Sequence, residues 1–574
     1  MLGLYKQSMF VGEAMIWLGL WKRRDSKYDQ FSEVPIRMER KNERIEELEE
    51  PNQLSKRTIS ANPLPLILTV IAAIVAQLFC APSVDAESRT SPNIIVFLAD
   101  DMGFSDAGCY GGEIATPNLD RLAANGIRFT QMYNTSKCFP SRACLLTGCY
   151  AQQVGMARKP EKIINGVTIG EVLRPAGYRT LWTGKHHATE NPFDRGFDRF
   201  FGLRDGACNY FNPGNPREGE PKPAQKRSNR SWCIDGQTYQ PYTPPEKDFY
   251  TTDYFTNYAL EYLDQYRRED NPFFLYISYN APHDPLQAWP EDIAKYKGKY
   301  EAGWQEIRDA RYRKQMRMGL FGKDAPLSPR EPGDWSAMSA TARAEEARRM
   351  EVYAAMIDRM DQNIGRIINK IEELGELEDT LIIFVSDNGG SAEVVQIGNG
   401  EIGNIDRWSS VKSRWANVSN TPFRKYKNYS HEGGVCTPCI MHWPSGITTD
   451  KGSFVRTPAH FIDLMATFIE AGQAEYPSQF QGTPVAPMQG VSLMPLLRGE
   501  RLHRPNPLFW QWSEGKAIRL GKWKAVSHGN GWELFDMEVD RTELVNLAGL
   551  FPDRTAAMIE AWESWYAGTP AGKR

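Results

Sequence analysis

The residues best suited to chemistry surround a cysteine in the run TSKCFPSR, which ends at Arg142. Pro140 suits the first turn of a helix, so we expect Cys138 at or just before a helix N-terminus. There the helix dipole and the free N–H groups favour an anion. Arg142, four residues after the cysteine, would lie on the same face and could pair with that anion or with a nucleophile. A helix-start cysteine with a solvated arginine fits the spacing equally well, so the spacing alone favours neither interpretation.

Two pairs of oxygen-bearing side chains, Asp100-Asp101 and Asp387-Asn388, each follow an apolar run. Carboxylate and amide oxygens are hard ligands that suit calcium or magnesium better than zinc. Paired aspartates after a strand also occur as helix caps or solvated turns, so one pair by itself is weak support for a metal. The convergence of two such pairs predicts a divalent cation site.

Four apolar runs have the pattern of buried strands, and each is followed by polar residues. The runs span residues 93–98, 178–183, 273–279 and 381–386, and they lead into Asp100-Asp101, Lys185-His186-His187, His283 and Asp387-Asn388. Helical patterns alternate with these strands, which predicts an α/β fold around a largely parallel sheet. Because open α/β sheets bind ligands at the carboxyl ends of their strands, we expect the four loops to form one site.

Other patterns organise the remaining chain. Apolar residues recur every three or four positions from Met350 to Leu374, which predicts an amphipathic helix covering the sheet. Residues 212–247 and 391–420 are rich in residues typical of loops and are predicted to be long surface loops beside the site. A helix, Gly- and Trp-rich strands and a last helix indicate a smaller α+β subdomain at 460–574, after a catalytic domain at 90–459.

Composition excludes several classes of protein. The 68 basic and 71 acidic residues give a net charge of -3, so no overall basic field would attract nucleic acid. A mean hydropathy of -0.51 with 41% hydrophobic residues is typical of a soluble globular protein. Nine cysteines in 574 residues are too few for a disulfide scaffold, although an exported protein could form one or two bridges.

The N-terminal region carries a targeting pattern. An apolar run at 64–81 follows Lys56 and Arg57 and precedes Val84-Asp85-Ala86. This order is typical of a signal peptide cleaved after Ala86, so region 61–86 predicts export to the periplasm or the medium, with no stable membrane span after cleavage. The run is also long enough for an uncleaved anchor. Residues 1–60 form an unusual N-terminal extension, which a start codon assigned too far upstream would explain.

The motif Cys138-x-Pro140-Ser141-Arg142, followed by Leu-Thr-Gly, resembles the signature of the type I, formylglycine-dependent sulfatases. Residues 282–288, with 295–300 following, resemble the arylsulfatase-like branch of that family. Further segments resemble the family's other motifs, in the expected order over most of the mature chain: Asn93-Ile-Ile-Val, Asp100-Asp101-Met-Gly, Gly184-Lys185-His186-His187, Ala281-Pro-His283, Ser386-Asp387-Asn388-Gly, Glu432-Gly-Gly and Trp532-Glu-Leu-Phe-Asp.

This resemblance implies an alkaline-phosphatase-like fold, a large mixed and mostly parallel sheet sandwiched by helices, with a smaller C-terminal α+β subdomain. It also implies hydrolysis of sulfate esters by a formylglycine that a formylglycine-generating enzyme makes from Cys138. The hydrated aldehyde would attack the sulfate ester, whose alcohol is a phenol or a sugar. One Ca²⁺ ion would be held by Asp100, Asp101, Asp387, Asn388 and the modified residue 138.

The same resemblance assigns roles to five more residues. Arg142 and Lys185 would stabilise negative charge around residue 138, and His187 would be the base that regenerates the aldehyde. His283 matches a histidine that protonates the leaving group, although its position between two prolines also allows a purely structural role. Lys427 matches the sulfate-binding lysine, and Lys425 is its rival for that position.

The sequence is compatible with two other functions. A phosphatase or phosphodiesterase of the alkaline phosphatase superfamily would usually use a serine or threonine nucleophile and two zinc ions. None of the eight histidines has an obvious spacing for a second metal. A sulfated-glycan-binding protein that has lost catalysis would bind its ligand without turnover even when Cys138 is formylglycine.

Overall fold

A computed structural model describes residues 91–529 and 531–573. The predicted N-terminal extension at 1–60 and the predicted signal peptide or anchor at 61–86 lie outside these residues. Within the described ranges, no helix combines the length and the apolar composition that a membrane crossing requires.

The strands of the described residues are numbered in chain order. They are β1 (Asn93–Asp100), β2 (Ile127–Tyr133), β3 (Arg179–Gly184), β4 (Arg199–Leu203), β5 (Trp232–Ile234), β6 (Gln237–Tyr239), β7 (Phe273–Pro282), β8 (Thr380–Ser386), β9 (Gln396–Ile397), β10 (Trp408–Ser409), β11 (Cys436–His442), β12 (Phe454–Val455), β13 (Ala459–His460), β14 (Gln479–Phe480), β15 (Thr483–Pro484), β16 (Leu508–Trp512), β17 (Gly515–Leu520), β18 (Trp523–His528) and β19 (Trp532–Asp536).

The helices follow the same convention. They are α1 (Pro117–Asn125), α2 (Cys138–Thr147), α3 (Ile169–Leu173), α4 (Thr251–Tyr266), α5 (Pro290–Ala294), α6 (Gly303–Arg317), α7 (Ala340–Glu373), α8 (Lys412–Ser419), α9 (Glu432–Val435), α10 (Ile462–Ala471), α11 (Met494–Leu497) and α12 (Pro552–Gly568), with short 3₁₀ turns at Gly108–Tyr110 and Pro192–Arg195.

One large mixed sheet forms the centre of the described residues. Its strand order is β12-β2-β11-β8-β1-β7-β3-β4-β5-β6, and β13 also pairs with β2. The four strands predicted from sequence are adjacent in the order β8-β1-β7-β3 and all run parallel. Every residue of β1 is buried, as expected for a strand covered on both faces. The predicted parallel core is therefore confirmed, and β11, β5 and β6 add antiparallel pairs.

Helix α7 covers this sheet through the predicted apolar stripe. Met350, Tyr353, Ile357, Met360 and Ile364 are all buried on its inner face. The helix begins ten residues before Met350, at Ala340, where the Ser339 side chain accepts a hydrogen bond from the Ala342 N–H and caps the first turn. The prediction of an amphipathic helix is confirmed, and the cap explains where it begins.

The C-terminal region contains a second, smaller sheet. Strands β16 to β19 form an antiparallel meander, as the Gly- and Trp-rich pattern predicts, and α12 packs against β17 and β18. Helix α10, near the start of the same region, instead packs against α2, the helix that begins at Cys138. The boundary at residue 460 stays a prediction.

The segment 391–420 is only partly the surface loop that its composition predicts. Trp408 and Trp415 are both fully buried, and residues 412–419 form helix α8. The Trp415 indole donates a hydrogen bond to the Glu346 carbonyl of α7. The prediction was wrong for this part because the two indoles offer enough apolar area to anchor a polar segment against the helices.

Candidate active site

The strand ends and the start of α2 bring the predicted residues together. Asp100 closes β1, Asp387 directly follows β8, Lys185 directly follows β3, and His283 directly follows β7. Cys138 is the first residue of α2, as the sequence predicts. The parallel strands end at the same edge of the sheet, so the four loops share one site.

Cys138 is almost completely buried, and its Sγ lies 3.9 Å from Oδ1 of Asp101. Burial raises the pKa of the Cys138 thiol to about 12, although Lys185 and Lys427 act in the opposite direction. Because the thiolate is the nucleophilic form of cysteine, an unmodified Cys138 would be a poor nucleophile at neutral pH. The site therefore surrounds Cys138 with cationic side chains without ionising its thiol.

Arg142 joins the helix of Cys138 to the end of β8. Its Nε and Nη2 lie 2.9 and 2.8 Å from Oδ2 of Asp387, and its Nη1 donates to the Lys185 carbonyl at 2.8 Å. The Asp387 side chain is completely buried. Burial and the neighbouring Asp100 raise the pKa of Asp387 to about 6, and Arg142 opposes that rise. Arg142 is thus a buried partner of Asp387, and the solvated alternative is wrong.

Asp100 forms a buried ion pair with Lys185. Burial opposes ionisation of Asp100, but Lys185, His283 and Arg142 together hold the pKa of its carboxyl well below the usual range. Asp100 is therefore a carboxylate in the folded protein. Its other oxygen, Oδ1, has no hydrogen-bond donor among the described residues.

Asp101 is the residue on which the other loops converge. It has a positive φ of 68°, which turns its side chain out of the strand direction. Its Oδ1 accepts a hydrogen bond from the Asn388 Nδ2 at 2.6 Å, and its Oδ2 accepts one from the Lys427 Nζ at 2.8 Å. Its backbone N–H donates to Oδ1 of Asp387 at 3.3 Å.

The donor set fits a hard divalent cation. The potential ligand atoms of Asp100, Asp101, Cys138 and His283 all lie within 4.8 Å of one another. Oδ1 of Asp100 and Oδ1 of Asn388 are buried and have no hydrogen-bond partner in the described part of the chain. Leaving two buried oxygens without donors is costly unless a cation satisfies them. The oxygen-rich set matches the preference of calcium or magnesium.

His187 lies beside Phe139, the residue that follows Cys138. Its ring packs edge-on against Phe139 at 5.7 Å between centroids, and its Nδ1 has no hydrogen-bond partner among the described residues. A Cβ at Gly206 would lie 2.5 Å from the His187 Nε2, so the missing side chain of this glycine makes room for the ring. Burial, Lys185 and Arg142 hold the pKa of His187 well below its usual value, so the ring is neutral in the folded protein.

His283 faces the same cluster from the end of β7. Its Nε2 lies 3.6 Å from Oδ2 of Asp101, and its Nδ1 lies 2.6 Å from the Asp284 carbonyl oxygen. Burial opposes protonation of His283, but Asp101, Asp100 and Asp284 together raise the pKa of the imidazole above its usual value.

The structure separates the two rival lysines. Lys427 is buried and bound to Asp101. Its pKa is raised well above the usual value because the carboxylates of Asp101, Glu393 and Asp100 oppose the effect of burial. Lys425 instead lies over the Tyr429 ring at 5.1 Å from its centroid. Of these two lysines, Lys427 is therefore the one whose ammonium group lies in the cluster.

Four further residues lie beside the site, and the sequence patterns assigned no role to them. We call them the rim: Lys137, Lys226, Glu393 and Trp512. Glu393 lies 3.3 Å from the Nζ atoms of Lys137 and Lys427 and 3.7 Å from that of Lys226. Trp512 packs against Phe139 at 5.1 Å between ring centroids. Glu393 and Lys226 lie in the two predicted loops, but no local spacing marks either of them as a site residue.

Comparison with known proteins identifies the family. Residues 92–474 match the sulfatase family model. The chain belongs to the sulfatase family. An uncharacterized sulfatase of Schizosaccharomyces pombe is 32% identical to it over 539 residues, which cover 84% of this chain and 95% of the relative. The arylsulfatase of Klebsiella aerogenes is 32% identical over 456 residues, which cover 73% of this chain and 95% of that enzyme.

A solved structure supports the fold. The crystal structure of Ps i-CgsB in complex with k-i-k-neocarrahexaose is 24% identical, covers 84% of this chain and 94% of its own, and superposes with a TM-score of 0.64. The predicted alkaline-phosphatase-like fold, a mostly parallel sheet between helices, is confirmed. As a member of this family, the chain is an arylsulfatase-like sulfuric ester hydrolase.

Proposed function

We propose that this sulfatase hydrolyses aryl or saccharide sulfate esters through a formylglycine made from Cys138, with one Ca²⁺ ion in the site. The observation that carries the proposal is the setting of Cys138. It is a buried, un-ionised thiol at a helix start, near Lys185 and Lys427. One carboxylate and one amide oxygen buried nearby have no donor within residues 91–529 and 531–573. A formylglycine-generating enzyme would supply the modification, and export of the protein would follow from the predicted signal peptide.

The cation would be held by Asp100, Asp101, Asp387, Asn388 and residue 138. When bound, it would polarise the sulfate and lower the pKa of a hydroxyl on residue 138. Two sets of contacts support this assignment: Arg142 donates a hydrogen bond to Asp387, and Lys427 and Asn388 donate hydrogen bonds to Asp101.

The chain's own side chains would do the rest of the chemistry. One hydroxyl of the hydrated formylglycine would lose its proton to water and form a bond to sulfur while the S–O bond to the alcohol breaks, and the other hydroxyl would stay on the carbon. Lys185 and Lys427 lower the pKa of Cys138, which burial raises. The same two cations would stabilise an oxyanion on residue 138. Neutral His187 would then take the proton of the remaining hydroxyl, so that sulfate leaves and the aldehyde is regenerated. His283 would give its proton to the bridging ester oxygen as the alcohol departs.

Sulfate release by two matched variants tests the proposal. Cys138 and Cys144 are both buried in α2, but only Cys138 faces the acidic cluster. We expect Cys138→Ala to lose turnover by at least about 10³-fold, as for loss of a nucleophile, and Cys144→Ala to keep it. Full turnover by Cys138→Ala on both an aryl and a saccharide sulfate would refute the proposal.

A further inference from the structure

The residue next to His283, Asp284, lies against the Nδ1 side of its imidazole ring. Nδ1 of His283 lies 2.6 Å from the carbonyl oxygen of Asp284 and 2.9 Å from Oδ1 of the same residue. A carbonyl and a carboxylate oxygen can only accept hydrogen bonds, so the proton must be on Nδ1. Nε2 is then the nitrogen that faces Asp101, 3.6 Å away, and the cluster around Cys138.

The Asp284 carboxylate is itself held in place. The hydroxyl of Ser410 donates to its Oδ2 at 2.5 Å, and Lys226 lies 3.7 Å from its Oδ1. The backbone N–H of Leu286 donates to the Ser409 carbonyl at 3.0 Å, which ties the loop after β7 to the strand β10. Asp284 is only 8% exposed, so water does not compete strongly for these contacts.

We propose that Asp284 is a positioning residue for leaving-group protonation, acting through His283. This inference rests on the proposed function, in which His283 is the proton donor. The backbone carbonyl of Asp284 accepts the Nδ1 proton, and the Asp284 carboxylate, 2.9 Å from Nδ1 and held by Ser410, keeps Nε2 turned toward the bridging ester oxygen and balances the positive charge of the ring before the transfer. The family resemblance implies a role for His283, but it implies none for Asp284.

The Nε2 proton goes to the bridging oxygen, and the electron pair of the breaking S–O bond stays on that oxygen, so the alcohol leaves neutral. The imidazole is left neutral with its proton on Nδ1. Water returns a proton to Nε2 before the next turnover.

The test is the leaving-group dependence of the full-length enzyme with formylglycine at residue 138. It uses aryl sulfates whose phenols range from strongly acidic nitrophenols to weakly acidic phenol. A nitrophenolate leaves without help, whereas a poor leaving group depends on the acid, which typically contributes about 10²-fold or more. We expect Asp284→Asn to lower kcat on phenyl sulfate by about tenfold to a hundredfold, with KM little changed and the nitrophenyl ester scarcely affected.

Two comparisons exclude a structural cause. Asp253→Asn removes a carboxylate that is also 8% exposed but pairs with Arg359 outside the site, and it should leave the leaving-group dependence unchanged. In the double variant His283→Ala/Asp284→Asn, the loss should equal that of His283→Ala alone, because Asp284 acts only through the ring.

Two results would overturn the inference. One is an equal loss by Asp284→Asn on all esters, and the other is multiplication of the two losses in the double variant. If His283→Ala itself shows no selective loss on poor leaving groups, the proton-donor role in the proposed function fails, and the role of Asp284 fails with it. A selective His283→Ala combined with a non-selective Asp284→Asn would overturn only the role of Asp284.

Discussion

At the scale of single residues, the site combines buried charges that stabilise one another. Arg142, Asp387, Asp100 and Lys185 are each at most about 2% exposed and form contiguous ion pairs. Such pairs add little net stability when both partners are present, because desolvation offsets their attraction. Removal of one partner is costly, since the other charge stays buried and unpaired.

Arg142→Met tests this at the residue that binds Asp387. We expect the free energy of unfolding to fall by about 3–5 kcal/mol, because Asp387 stays buried and loses the guanidinium that pairs with it. The control is Arg121→Met, which breaks an ion pair with Glu372 whose side chains are 42% and 39% exposed. That change should cost about 0–1 kcal/mol. Denaturant titration measures both, and equal costs would contradict the buried pairing.

The types of the site residues could be predicted from sequence, but their contacts could not. Polar residues after apolar runs marked Asp100, Lys185, His283 and Asp387, because parallel strands all end at one edge. Nothing local marked Glu393, whose three lysine neighbours come from separate parts of the chain. Contacts of this kind depend on how long loops fold back, which residue spacing does not encode.

At the scale of elements, the short helix α9 is attached to the small C-terminal sheet. Glu432, its first residue, is fully buried and binds Lys524 of β18 at 2.8 Å and Arg541 at 2.9 Å. Tyr133 of β2 donates to the same carboxylate at 3.0 Å. This carboxylate therefore links the large sheet, α9 and the small sheet.

The linkage predicts a pH dependence of stability. Burial opposes ionisation of Glu432, but Lys524, Arg541 and Arg519 lower its pKa from 4.5 to about 2. The unfolded chain therefore binds this proton more readily, so the stabilisation is complete above pH 4.5 and is lost as the pH falls toward 2. The full effect is on the order of 3 kcal/mol.

Unfolding of the parent protein and of Glu432→Gln between pH 7 and pH 2 would measure this contribution. The difference in unfolding free energy between the two proteins should be largest above pH 4.5 and shrink below it. A difference that is independent of pH would contradict the pairing of Glu432 as an ion.

At the scale of the whole molecule, cation binding should be visible as stability. A ligand that binds only the folded state adds about 2.7 kcal/mol at a hundred times its Kd. We expect Ca²⁺ to raise the thermal unfolding midpoint of the chelator-treated protein and Asp100→Asn to remove most of that rise. Asp361→Asn removes a buried carboxylate that is bound to α1, and this variant should keep the rise in the unfolding midpoint. A Ca²⁺ response unchanged in Asp100→Asn would contradict the proposed ligand set.

The overall architecture was also only partly predictable. The alternation of strands and helices indicated the parallel core, because each buried strand is a continuous apolar run. The position of β11 was not readable, since an apolar strand such as Cys436–His442 fits a parallel or an antiparallel place equally well. The packing of α10 on α2, the helix that begins at Cys138, could not be predicted either, because the pattern around α10 indicates a separate subdomain.

The central claim is that residue 138 acts as formylglycine and not as a thiol. Trypsin cuts after Lys137 and Arg142, so mass spectrometry of the Cys138–Arg142 peptide, taken from the same preparation as a sulfate-release assay, tests it directly. We predict the mass of formylglycine at residue 138, with kcat proportional to the modified fraction across preparations. Fully active protein whose peptide carries only an unmodified cysteine would contradict the account.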